Sequence, residues 1–195
     1  MANQVYISHH LKDAKIADII YKELEKNNIS SFMVENVKGD WSNSIENAIE
    51  EAEIFLLILS KDSSKSSLTT NECRKAKKFN KPPNKKKIII FKIDDVELKC
   101  LKKGNNIDYL FIDATKASEK YELCKDIIDF NEEDKLEIKY DDYIDELITE
   151  IESSLAFKDE KNENTSRNTG IASVILVILI LIVLVLIALK LIKSN

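Results

Sequence analysis

Glycine is scarce in this chain, with three residues in 195, at positions 39, 104 and 170. Loops that cradle phosphate need clustered glycines so that backbone amides can approach the ligand. Both the G-x-G-x-x-G fingerprint and the P-loop are therefore excluded. Histidine is scarcer still, limited to His9 and His10. Cys73, Cys100 and Cys124 are odd in number and scattered, with no C-x-x-C pair and no histidine nearby. That pattern offers no zinc site and suits a reducing compartment. The serines between positions 60 and 67 lack the motif of a nucleophile elbow, which leaves no support for serine–histidine–acid catalysis. A formal net charge of −5 has the wrong sign for a nucleic-acid surface, so no nucleic-acid partner is expected. The lysines at 75, 77, 78, 81 and 85 to 87 form one local basic patch, read as solvated helix and loop.

The composition, 44% hydrophobic and 32% charged, allows one domain with a real core plus an appendage. The appendage is legible at the C-terminus, where "GIASVILVILILIVLVLIALK" follows Thr169. Its apolar run of about 19 residues is close to the roughly 20 that cross a bilayer core. It is apolar all round, unlike a surface helix. Residues 171–192 are therefore expected to form a transmembrane helix. Before it, residues 158–170, "KDEKNENTSRNTG", are polar without an apolar face and read as a flexible linker. The start, "MANQVYISHH", lacks the basic and apolar regions of a secretory signal. The expectation is a single-pass protein with a C-terminal anchor in the lipid bilayer and residues 1–157 in the cytoplasm.

Within residues 1–157, short apolar runs alternate with helical patterns. "QVYIS" reads as a strand, and Ile16, Ile19, Ile20 and Leu24 then recur at helical spacing. "ISSFMV" is a second strand, followed by "ENVKGDW" and a helix carrying Ile45, Ala48, Ile49 and Ala52. "IFLLILS" is apolar at almost every position, as a strand covered on both faces must be. "KKIIIFKI" and "DYLFIDAT" supply a fourth and a fifth strand, and Ile144, Leu147, Ile148, Ile151 and Leu155 the stripe of a closing helix. Residues 116–139 fit only loosely as helix and loop. The alternation predicts an α/β fold with a doubly wound, five-stranded parallel sheet, with Phe32, Ile45, Ile58 and Ile90 in the core.

Such a sheet binds ligands beyond the carboxyl ends of its strands, where the strand order reverses. In the order 2-1-3-4-5 that point lies between the first and third strands. The loops leaving them are "SHHLKD" and "SKDSSKSSLTTNE". His9, His10 and Lys12 from the first, and Ser60, Ser63 and Glu72 from the second, are expected to line one crevice. Glu72 has a second reading. Thr69 followed three residues later by Glu72 is a capping box, which would make the glutamate part of a helix start.

The combination of "VYISHHLKD", "SSFMVENVKGDWSNSIENAIEEAEIFLLILSKDSSKS", "NECRKA", "IIIFKIDDVEL" and "DYLFIDAT" resembles the Toll/interleukin-receptor (TIR) domain in its prokaryotic form, over almost all of residues 4–157. The resemblance implies a flavodoxin-like fold and places the family's catalytic glutamate on Glu72. Leu68, one turn earlier, stands where several active members carry an aromatic residue. It implies NAD+ as substrate, with nicotinamide as leaving group, no metal and no cofactor, in a defence or immune-like pathway. It also implies self-association, with Val37, Lys38, Gly39 and Trp41 from the loop after the second strand reaching a neighbour's Glu72. Two other functions stay open: a non-catalytic adaptor acting by TIR–TIR contact, and an effector whose clustered spans disturb the bilayer.

Overall fold

A computed structural model describes residues 4–34, 41–80, 85–97, 109–117 and 139–156, with 41–43 described by backbone alone. The chain divides into two units, 1–152 and 153–195. The first holds a five-stranded sheet of β1 (Val5–Ser8), β2 (Ser31–Met33), β3 (Ile54–Leu59), β4 (Lys87–Lys92) and β5 (Tyr109–Asp113). All pairings are parallel and the order is β2-β1-β3-β4-β5, as the sequence predicts. The helices are α1 (Ala14–Lys26), α2 (Trp41–Glu51), α3 (Ser67–Phe79) and α4 over 139–156.

Parallel strands buried on both faces lose the inside–outside alternation of residue types. Every residue of β1 and β3 is buried accordingly. On one face Tyr6, Phe55, Leu57, Leu59, Ile88 and Ile90 pack with Ile45, Ile49 and Ala52 of the α2 region and with Cys73 and Ala76 of α3. On the other, Phe91 of β4 meets Tyr140 of α4 at 6.2 Å between ring centroids. The residues expected in the core are there: Ile45, Ile58 and Ile90 are buried, and Phe32 is half-buried against the cluster.

Two helix ends show how local sequence shapes this frame. Asn28 follows α1 in the left-handed region, at φ 59°, where asparagine is tolerated better than most residues. Its amide donates to Glu25 O, and the Ile29 amide to Leu24 O at 2.9 Å. This six-to-one bond closes the helix and turns buried Ile29 onto buried Leu24. At the end of α2, the buried Lys86 ammonium donates to the carbonyls of Glu50 and Ala52, which satisfies acceptors left over by the helix.

Among the described residues, no helix is long and apolar enough to cross a membrane. The expected span at 171–192, the linker at 158–170, the loop residues Val37, Lys38 and Gly39, and most of 116–139 lie outside the described residues.

Candidate active site at the end of the first strand

Tyr6 and Ser8 are two residues apart on β1, so their side chains leave the same face of the sheet. That face is the one α3 covers. The helix begins because Ser66, extended at φ −72° and ψ 126°, accepts a hydrogen bond on its hydroxyl from the Thr69 amide at 3.2 Å. The expected capping box is thus not formed. Thr69 is inside the helix and fully buried, and among the described residues its hydroxyl has no hydrogen-bond partner. Glu72, Cys73 and Ala76 fall on the inner face of α3 with it. Glu72 therefore points at the sheet rather than back along its own backbone.

There the Tyr6 hydroxyl donates to Glu72 Oε1 at 2.9 Å and the Ser8 hydroxyl donates to Oε2 at 2.5 Å. Among the described residues each carboxylate oxygen has one donor. Glu72 is 2% exposed. Burial raises its pKa above the ordinary carboxylate value, and the Ser8 and Tyr6 hydrogen bonds, then the charges of His9 and Lys75, oppose the rise. Burial and the nearby Glu72 charge push the Tyr6 phenol well above its ordinary value. The phenol thus remains protonated and remains a donor. Its ring is fixed from both sides by Phe32 and Phe55, each with centroids 5.7 Å away and both stacked.

The other residues expected at the site divide into two groups. His9 directly follows Ser8, and its charge acts on Glu72, which places the two at the same end of the sheet. Leu68, one turn before Glu72, is 49% exposed and carries apolar surface at that end. Trp41 opens α2 on the same face, and its side chain lies outside the described residues.

The second group lies toward α1 and α4. Ser60 donates to Asp13, the residue before α1, at 2.6 Å. Ser60 and Ser63 also bind each other's backbone, with Ser60 N to Ser63 Oγ at 2.7 Å and Ser63 N to Ser60 Oγ at 2.9 Å. Both serines are buried, so they brace the loop after β3 from beneath. The Lys61 amide donates to Asp94 at 2.7 Å, which ties in the end of β4. Tyr140 of α4 is pushed up to about 12 by burial and then by the charges of Asp94 and Asp13. His10 accepts from the Lys12 amide at 3.2 Å and so fixes the turn Leu11–Asp13. Lys12 bridges to Asp62 at 2.9 Å with side chains 69% and 41% exposed, a pairing that water screens to little net stability. Among the described residues no group of three or more histidine, cysteine or acidic side chains could hold a metal ion.

Sequence reasoning missed Tyr6, Ser8, Asp13 and Asp94. For the first two a signal existed: two polar side chains at i and i+2 on an otherwise apolar central strand, both bound for the same face.

The fold and site define a doubly wound α/β domain with a buried, doubly hydrogen-bonded carboxylate at the end of its first strand, beside the point where strand order reverses. The chain belongs to the TIR domain family, which matches residues 5–127. Among solved structures it is similar to the TIR domain of the Toll-related receptor TRR-2 from the lower metazoan Hydra magnipapillata. That likeness is at 20% identity with a TM-score of 0.47, and covers 64% of this chain and 98% of that one. It is also similar to the TIR domains of the activated Roq1 resistosome directly recognizing the pathogen effector XopQ, at 13% identity and a TM-score of 0.47, covering 75% of this chain and 98% of that one. No curated protein matches the chain.

Proposed function

We propose that this protein is a membrane-anchored TIR enzyme of the prokaryotic type that cleaves NAD+ to nicotinamide and ADP-ribose, or a cyclic form of it, in a defence-like signalling pathway. Its family includes NAD+-cleaving members, and the observation that carries the reading is Glu72, with one hydroxyl on each oxygen at the ligand-binding end of the sheet. The bond from ribose C1′ to the nicotinamide nitrogen breaks with its electron pair going to nitrogen. Nicotinamide leaves neutral and needs no general acid. The positive charge remains on the sugar as an oxocarbenium-like species, which a fixed carboxylate in a poorly hydrated site stabilises more than water would. Water then adds at C1′ and loses a proton, giving ADP-ribose. Attack by a nucleophile within the ADP-ribose itself gives the cyclic product. Because Glu72 is 2% exposed, the reading requires an opening movement at the crevice mouth. His9, His10, Lys12, Leu68 and Trp41 are the proposed contacts of NAD+, and Ser60 and Ser63 the braces of the loop beside it.

The same burial favours a second reading, in which Glu72 is a polar latch between α3 and β1 in an adaptor that works by TIR–TIR assembly. Incubating the full chain in vesicles with NAD+, and separating nicotinamide and ADP-ribose from it, distinguishes the two. Release of nicotinamide supports the enzyme. Self-association with NAD+ left intact supports the adaptor, and leakage of vesicle contents without either supports a membrane-disrupting effector.

A further inference from the structure

The two donors to Glu72 come from one strand, and the ring of one of them is locked by its neighbours. A carboxylate on an α-helix side chain has three rotatable bonds, so burial alone would leave its plane undefined. Here the plane is fixed by two points on β1, with Tyr6 Oη on Oε1 and Ser8 Oγ on Oε2. The Tyr6 ring, stacked between Phe32 of β2 and Phe55 of β3, anchors one of those points to the middle of the sheet. An ionised carboxylate offers about four acceptor sites on its two oxygens. Among the described residues one donor reaches each oxygen, which leaves both oxygens with further acceptor capacity.

We propose that Tyr6 and Ser8 are positioning residues for Glu72: their hydroxyls fix the plane of the carboxylate and supply the hydrogen bonds that an anion withdrawn from water requires. The role of that carboxylate in NAD+ cleavage rests on the proposed function, whereas the positioning itself does not. The other charged groups acting on Glu72 are His9, after β1, and Lys75, one turn further along α3. Lys75 is itself paired with Glu46 of α2 at 2.9 Å. Among the described residues the hydrogen bonds that set the plane of the carboxylate come from Tyr6 and Ser8 of β1, while His9 and Lys75 act on it through charge.

The test uses the full chain with the variants Tyr6→Phe, Ser8→Ala and Ser8→Thr. Tyr6→Phe keeps the stacked ring and removes only the hydroxyl. Ser8→Thr keeps a hydroxyl that Ser8→Ala lacks. The carboxyl carbon of Glu72, labelled with carbon-13, is titrated by NMR in each. Removing a donor to the ionised form disfavours that form, so the Glu72 midpoint is expected to move up in Tyr6→Phe and Ser8→Ala and to return toward wild type in Ser8→Thr. The acid limb of the pH profile for nicotinamide release is expected to move up with it. At the plateau, kcat/KM should fall roughly tenfold per hydroxyl lost, the scale of one charge-assisted hydrogen bond. Midpoints in Tyr6→Phe and Ser8→Ala that coincide with wild type overturn the positioning role, whatever the activity. Shifted midpoints in a chain that never releases nicotinamide uphold the positioning and overturn the NAD+ reading instead.

Discussion

At Glu72, burial and ionisation work against each other, and the balance is measurable without any assay of activity. Its pKa in the fold is raised above the ordinary value of 4.5, with burial as the largest cause. A carboxyl with a raised folded pKa favours the native state most while protonated. The stability it contributes is fully present below pH 4.5 and is lost as pH rises through the folded value. Glu72→Gln cannot ionise, and its amide can still engage both hydroxyls, accepting from Tyr6 and donating to Ser8. We predict that the variant melts at a higher temperature than wild type near neutral pH, and that the gap closes as pH falls toward 4.5. Thermal unfolding at a series of pH values checks this, and a gap independent of pH contradicts it. Asp13 is also raised by burial, but its contribution is common to both proteins and cancels. A residue whose neutral replacement stabilises the fold is expected where function, rather than packing, retains the charge.

The start of α3 separates the cap from the carboxylate. Ser66 is the N-cap, so Ser66→Ala is predicted to cost about 1 kcal/mol of stability, the usual loss of such a cap. Thr69 is fully buried with no partner for its hydroxyl among the described residues. Thr69→Val keeps the shape and removes the polar atom, so it should be neutral or stabilising. Chemical denaturation of the two variants decides, and a loss at Thr69→Val equal to that at Ser66→Ala would restore the capping box. The stretch "SSLTT" shows why sequence alone misplaced the cap. It offers several hydroxyls that could begin the helix, and the choice falls to whichever start buries Thr69, Glu72, Cys73 and Ala76 together. The strands were legible because parallel strands covered on both faces leave long β-branched and aliphatic runs. The alternation of elements made the sheet parallel and doubly wound, and the observed order β2-β1-β3-β4-β5 is that of the flavodoxin-like fold the resemblance implied. That order also pointed to the end of α3 where Glu72 lies. The residues that hold Glu72 were not legible in this way, because they lie 66 and 64 positions away in the chain. Ser60 and Ser63, expected to line the crevice, are buried and hydrogen-bonded within "SKDS" and to Asp13, partners that the local sequence does not reveal.

For the whole molecule, the proposed anchor makes a prediction about rate. If residues 158–170 act as the linker proposed from their composition, a flexible chain of about 13 residues has a root-mean-square span on the order of 20 Å. Domains so tethered share a thin layer at raised effective concentration. If a neighbour's loop after β2 completes the crevice, residues 1–157 in dilute solution are expected to be monomeric and nearly inactive. Attaching them to vesicles through an artificial tag should restore cleavage without the native span. Specific activity measured against surface density tests the coupling, and a rate per molecule that is flat and equal to the rate in solution shows that each domain carries a complete site. Whether Glu72 stabilises charge on ribose in NAD+ cleavage is decided by nicotinamide release from wild type and Glu72→Gln at equal surface density, with folding checked by circular dichroism. Wild type is expected to release nicotinamide, and a folded Glu72→Gln to release none. Release by the folded variant at the wild-type rate would contradict that role for Glu72.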